Sequence, residues 1–376
     1  MRHAAAALLL LACAPAAAGT VVRAPYGVTQ DGQQVEQFTL RNDRGAEVRV
    51  IEYGAVLTDV IVPDAKGQRG NVVLGFATLA EYEAKNANYD FGAVVGRYVG
   101  RIANARFTLD GREVRLTPND GPNALHGGPG GFDKRVWQGR PLSNRSIALD
   151  YVSPAGEQGF PGTLTVRVTY TLGNDNSLRI DYQARTDAPT VLNLTNHSYF
   201  NLAGAGSGSV GNHLLQIDSD RLVETDGGGI PTGNFLPVSA TPFDFRRPAA
   251  IASALEASHP QLDGRRGLNH GWLLGRGGRL RRAALLTEPV SGRQMEVRTT
   301  EPSLHIYTGN WFSGEDKGAQ GTPYRPHDGI ALETQHLPDS PNRPGFLPTV
   351  LRPGEVFRST TIYRFSARET PSKQGK

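Results

Sequence analysis

Cysteine is nearly missing from this 376-residue chain, Cys13 being the only one. It lies in a leader-like N-terminus, so once residues 1–18 are removed neither disulfides nor thiol chemistry can contribute to stability or mechanism. The chain also lacks any run of the ~20 apolar residues that a membrane-spanning helix requires. Excess charge of one sign is scarce as well. The formal net charge is +4, and removing residues 1–18 takes away only Arg2. Arginines cluster at 265–266 and at 276, 279, 281 and 282, but the aromatic interleaving of a single-strand nucleic-acid groove is absent, apart from the nearby Trp272. These arginines read as a solvated basic loop, and no nucleic-acid partner is expected. Histidines at 126, 197, 270, 305, 327 and 336 show no short metal-ligand spacing, so no metal site is expected.

The chain nonetheless has 38% hydrophobic residues, enough for a substantial core. Met1-Arg2-His3 precedes an apolar run from Ala4 to Ala12, then Ala16-Ala17-Ala18 and Gly19. This is the order of a secretory signal, with cleavage expected near Ala18 and a periplasmic or secreted location. Leu10-Leu11-Ala12-Cys13 offers an alternative, a lipoprotein box that would anchor the protein through Cys13.

Forty-five glycines and 25 prolines punctuate short segments of alternating apolar and polar residues. Leu164, Val166, Val168, Tyr170 and Leu172 alternate with polar residues, and after the turn residues 173–176 come Leu178, Ile180, Tyr182 and Ala184. The pattern predicts a hairpin with one face inward. Similar runs occur at 47–62, 106–116, 214–223, 294–299, 304–307 and 356–366, and no long amphipathic helix interrupts them. The expected fold is all-β, one large antiparallel β-sandwich domain over residues 19–367, followed by a polar tail at 368–376.

Chemistry concentrates where polar and ionisable residues interrupt apolar strands. The octapeptide Thr195-Asn196-His197-Ser198-Tyr199-Phe200-Asn201-Leu202 and the segment Leu332-Glu333-Thr334-Gln335 supply one histidine and one carboxylate. Such a pair can exchange protons near neutral pH if the fold sets the two on opposite sides of one substrate. His126, in Asn123-Ala124-Leu125-His126-Gly127-Gly128, is an equal candidate for the acid from the residues alone. Arg97 and Arg101 are equal candidates for a ligand contact. Tyr199, Phe200, Trp272, Trp311 and Phe312 are candidates for stacking, with Phe200 expected in the core. A two-carboxylate hydrolase would need a partner for Glu333 such as Asp244 or Asp328, and neither sits in a comparable segment.

Taken in order, Gly96-Arg97-Tyr98-Val99-Gly100-Arg101-Ile102, Asn123 to Gly128, the Thr195 octapeptide, Tyr307-Thr308-Gly309-Asn310 and Leu332 to Gln335 resemble the aldose 1-epimerase family, the galactose mutarotases. The resemblance runs from about Tyr26 to Phe365. It implies a galactose-mutarotase-type β-sandwich that interconverts the α and β anomers of free aldoses such as glucose, galactose or xylose without a cofactor. It assigns Glu333 as base at the C1 hydroxyl, His197 as acid at the ring oxygen, and Arg101 and His126 as holding the sugar. Tyr199, Asn269 and His305 are further candidates for substrate contact. Three positions depart from the family's pattern: Gly100 and Asn269 replace an asparagine and an aspartate, and His305 replaces a glutamine. They keep open a non-catalytic carbohydrate-binding or sensing protein on the same fold. A sugar-phosphate epimerase would want clustered arginines at the pocket rim, and Arg265 and Arg266 lie close to Asn269 in sequence, but an exported protein seldom meets sugar phosphates and that activity is not expected.

Overall fold

Glycine-bounded alternation becomes sheet throughout the computed structural model, which describes Gly19 and residues 21–368. The expected leader at 1–18 with Cys13, and the tail beyond Arg368, lie outside the described residues. The predicted hairpin forms as Leu164–Leu172 and Ser177–Thr186, with Leu172 opposite Leu178 and burial alternating along both strands.

That hairpin is the middle of a nine-stranded antiparallel sheet, which continues through Phe357–Ala367, Arg293–Thr299 and Arg281–Thr287. A six-stranded antiparallel sheet runs Tyr199–Phe200, Ile330–Gln335, Ser303–Tyr307, Asn269–Leu273, Arg221–Thr225 and Pro231–Pro237. A five-stranded sheet spans Val21–Val28 to Arg69–Asn71. Among the described residues helix is limited to Leu79–Lys85, capped by Thr78, and to Ala252–Leu255, apart from short 3₁₀ turns.

One apolar cluster joins the layers. Val166, Val168, Tyr170 and Ile180 of the nine-stranded sheet meet Leu304, Ile306 and Leu332 of the six-stranded sheet, and Val48 and Val50 of the five-stranded one. Because successive strand residues point to opposite faces, committing Leu304, Ile306 and Leu332 to this core turns His305, Tyr307 and Glu333 to the other side. The run at 214–223 divides between sheets. Leu214–Ile217 joins the nine-stranded sheet, whereas Arg221–Thr225 joins the six-stranded one. Ser219 effects the crossing, its hydroxyl donating to the Leu273 carbonyl and accepting from the Arg221 N–H.

Arg97 proves to be part of this frame. It is 2% exposed, and its guanidinium donates to the carbonyls of Pro161, Gly162, Ser153 and Pro154 and to the Ser153 hydroxyl. Burial lowers its pKa to about 10. Arg97 thus ties the loop before Arg101 to the 153–162 turn. Removing it leaves several carbonyls short of a donor, each worth about 1–3 kcal/mol where water cannot reach. Arg97→Met should therefore lower unfolding free energy by about 3 kcal/mol or more in urea titrations; a loss under about 1 kcal/mol would mean the carbonyls rehydrate freely.

Candidate active site

Four neighbouring strands build the floor of a cleft of about 230 Å³ through their register. Gly271, His305 and Glu333 lie in one cross-strand row, and Asn269, Tyr307, Ala331 and Tyr199 in the next. The cleft is lined by Arg101, His126, His197, Tyr199, Asn269, His305 and Glu333, so every site residue expected from sequence meets in one place. Its volume falls below the ~300–1,000 Å³ of drug-sized sites and suits one small polar molecule.

The octapeptide is not a continuous strand. Thr195–Asn196 pairs with Val94–Val95, Tyr199–Phe200 pairs with Ile330–Ala331, and His197 and Ser198 sit at the break between them. Its asparagines hold the break. Asn196 donates to the Gly92 carbonyl and accepts from the Ser198 N–H and hydroxyl, while Asn201 donates to the Gly208 and Asp328 carbonyls. Thr195 donates to the Thr334 carbonyl, fastening this segment to the strand that carries Glu333.

His197 Nε2 consequently stands 3.5 Å from Glu333 Oε1, each side chain 4% exposed. The two lie side by side rather than on opposite sides of the space a ligand would fill, because His197 leads directly into the strand paired with that of Glu333. Burial penalises charge on both. It raises the Glu333 pKa to about 8 and lowers that of His197 to about 4. Between those limits the pair holds one proton, the state in which one member can donate while the other accepts.

His126 occupies a left-handed turn with φ of 52°, and its Nδ1 accepts from the Gly100 N–H at 3.3 Å. The imidazole is thereby a neutral Nε2–H donor, and burial, then nearby His197 and Arg101, hold its pKa well below the usual value. Gly127 is obligatory beside it, since a Cβ there would lie 2.1 Å from the Gly96 carbonyl oxygen. Gly100 has φ of +80°, and a Cβ would come within 2.9 Å of Pro338. Arg101 lines the cleft while its Nε is held at 2.7 Å by Asp120. The ambiguity between the two arginines is thus resolved by position, Arg97 being spent on the frame.

The two departures on the sheet form a unit. His305 Nε2 donates to Asn269 Oδ1 at 2.7 Å, which leaves the Asn269 amide N–H₂ without a protein acceptor among the described residues. Burial lowers the His305 pKa to about 3, so it stays neutral. Where the family's pattern has an acceptor carboxylate, this chain presents a donor.

Sequence reading missed several lining residues. Arg265 is half-buried in the cleft, bonded to the Thr225 hydroxyl and the Asp226 carbonyl, and is not part of a solvated loop. Gln335 and Tyr307 follow from strand alternation with Glu333 and His305, a signal that was available. Asp90 also lines the cleft; burial and the neighbouring Asp133 raise its pKa well above the carboxylate range. Among the aromatic candidates, Tyr199 forms floor, its ring centroid 5.0 Å from that of His197, and Trp311 stands 56% exposed at the rim. Trp272, Phe200 and Phe312 are core. Asp244 is paired with Arg246 and Asp328 accepts from the Arg325 N–H, both away from the cleft lining.

Comparison with known proteins bears on the family and the fold. The family model for aldose 1-epimerase matches residues 36–364. Galactose mutarotase of Sus scrofa is 44% identical over 348 residues, covering 92% of this chain and 99% of that protein. Aldose 1-epimerase of Escherichia coli (strain K12) is 42% identical over 341 residues, covering 90% and 97%. The crystal structure of galactose 1-epimerase from Lactobacillus acidophilus superimposes with a TM-score of 0.81 at 30% identity, covering 93% of this chain and 99% of that one. No helix among the described residues is long and apolar enough to cross a membrane. By fold, by the motifs that line the cleft and by sequence along nearly its whole length, the chain belongs to the aldose 1-epimerase family.

Proposed function

We propose that this protein is a mutarotase that interconverts the α and β anomers of free aldoses such as glucose, galactose or xylose, with Glu333 and His197 as its proton-transfer pair. The observation that carries the reading is their 3.5 Å contact at the cleft floor. The C1 hydroxyl oxygen and the ring oxygen are bonded to the same carbon, so groups serving both must themselves be neighbours. At rest burial leaves the pair's single proton on Glu333. The reactive form is its tautomer, in which His197 carries that proton. The Glu333 carboxylate then takes the proton from the C1 hydroxyl as the C1–ring-oxygen bond breaks, and His197 gives its proton to the ring oxygen. The product is the open-chain aldehyde. Rotation about C1–C2 presents the other carbonyl face, and ring closure returns both protons with the roles reversed.

The remaining residues orient the sugar. Arg101 and the His126 Nε2–H donate to its hydroxyls, Asn269 adds an amide donor beside His305, and Tyr199 supplies an apolar floor. The signal-like order at residues 1–18 supports export, after which the enzyme equilibrates anomers outside the cytoplasm. Recovery of full-length, uncleaved protein from the cytoplasm alone would remove that part of the proposal.

Polarimetry on freshly dissolved α-D-glucose, α-D-galactose and α-D-xylose should show accelerated mutarotation with no added metal or cofactor. Glu333→Gln and His197→Asn should each lower turnover by about 10²- to 10⁴-fold with little change in sugar affinity. Sugar binding without any acceleration would favour the binding-protein reading, to which the Asn269 substitution already points.

The rate should be bell-shaped in pH. Below about pH 4 both members of the pair are protonated and no base remains. Above about pH 8 both are deprotonated and no acid remains. A flat profile across either limit would count against a shared proton. The same burial has a stability consequence. A carboxyl whose folded pKa is raised contributes fully below its unfolded value of 4.5, and that contribution drains away as pH rises towards about 8. The melting temperature of Glu333→Gln should therefore exceed that of the native protein by a margin that widens from about pH 5 to about pH 8, as read by calorimetry.

A further inference from the structure

We propose that the side of the cleft formed by Arg265, Arg101 and Asn269 selects an aldose that carries an anionic substituent, a carboxylate or a phosphate. The proposal rests on the mutarotase reading of the same cleft and names the substrate class that this chain's own residues favour.

Two guanidinium groups converge at Gly229. Arg101 Nη1 and Arg265 Nη1 lie 3.3 and 3.4 Å from the position that a Cβ at Gly229 would take. Among the described residues only one of the two has a carboxylate partner, Arg101 with Asp120. Arg265 Nη2 is held by the Thr225 hydroxyl, at 2.8 Å, and by the Asp226 main-chain carbonyl. The Asp226 carboxylate is engaged in its own turn, where it accepts the N–H groups of Gly228 and Ile230. Burial, and then the like charge of Arg101, lower the Arg265 pKa.

Among the described residues that line the cleft, no carboxylate is paired with Arg265. Burial raises the pKa of Glu333 to about 8 and that of Asp90 well above its ordinary value, and it lowers those of His126, His197 and His305. Asn269, whose oxygen already accepts from His305, turns its amide N–H₂ donors to the cleft. At the rim the Arg266 guanidinium lies 4.5 Å over the Trp311 ring, adding a third cation to the approach. Two converging guanidiniums repel unless an anion lies between them, and their planar forks match a carboxylate or phosphate far better than the hydroxyls of a neutral sugar.

The test is isothermal titration of the purified protein at low ionic strength, which reads binding whether or not turnover occurs. Anomerically equilibrated D-galacturonate, D-glucuronate and glucose 6-phosphate are compared with D-galactose and D-glucose. Each favoured anion should bind about tenfold tighter than its neutral parent, the scale of one charge-assisted contact. A preference confined to the uronates identifies a carboxylate, and one confined to glucose 6-phosphate a phosphate. Arg265→Gln should reduce the anion-to-neutral ratio about tenfold, Arg265→Lys should restore part of it, and Asn269→Asp should lower it by placing a carboxylate in the cleft. Arg282→Gln, which removes a guanidinium paired with Asp218 outside the cleft, controls for net charge and should leave the ratio unchanged. The proposal is overturned if no anion binds tighter than its neutral parent, or if Arg265→Gln weakens both alike. Failed mutarotation with a retained anion preference would sink the catalytic reading alone, whereas fast mutarotation with no preference would sink this one alone.

Discussion

A carboxyl and an imidazole held in contact and almost out of water are the constraint around which this molecule is organised. Neither group carries charge comfortably there, which is why one titrates near 8 and the other near 4. Water would relax both towards ordinary values, so the surrounding protein has to keep it out. Tyr199, Phe91 and Phe312 do this from beneath as one aromatic cluster, and the sandwich core behind Leu332 backs the strand that bears Glu333. The arrangement trades stability for proton-transfer competence, as buried functional groups generally do.

Holding the pair requires a scaffold whose polar parts are satisfied elsewhere. The asparagines of the octapeptide and Asn193 bind loop carbonyls, Arg97 bridges two turns, and Thr195 fastens the His197 break to the Glu333 strand. Such residues look catalytic in a sequence because they are polar within apolar strands. Their hydrogen bonds are nearly all to backbone, which marks them as frame. The residues that face the cleft have fewer protein partners, and His126 is fixed as a donor only through the Gly100 N–H.

Polarity around the cleft is where this chain departs from its family's pattern. The exchange of an acceptor carboxylate for Asn269 is coupled to His305, because the imidazole N–H takes the amide oxygen and turns the amide donors outward. Arg101 and Arg265 line the same cleft, so this side of the site is rich in donors. Gly100, packed against Pro338, brings no charge to the cleft.

Period-two alternation with glycine-rich turns determined that the chain would be antiparallel β-sheet, and the hairpin from Leu164 to Thr186 appears as the pattern required. The same alternation determined that Glu333 and Gln335, or His305 and Tyr307, would share a face, since neighbouring side chains of a strand must point oppositely. The resemblance of the motifs nominated the cleft residues. Sequence could not decide between Arg97 and Arg101, reveal that 214–223 would split between two sheets, or bring Arg265 and Asp90 to the cleft. Those outcomes depend on cross-strand register and on loops returning from distant positions, which no local pattern encodes. Only tertiary structure set His197 beside Glu333 rather than opposite it, because their separation is fixed by the pairing of Tyr199 with Ala331, residues 132 positions apart in the chain and adjacent in the sheet.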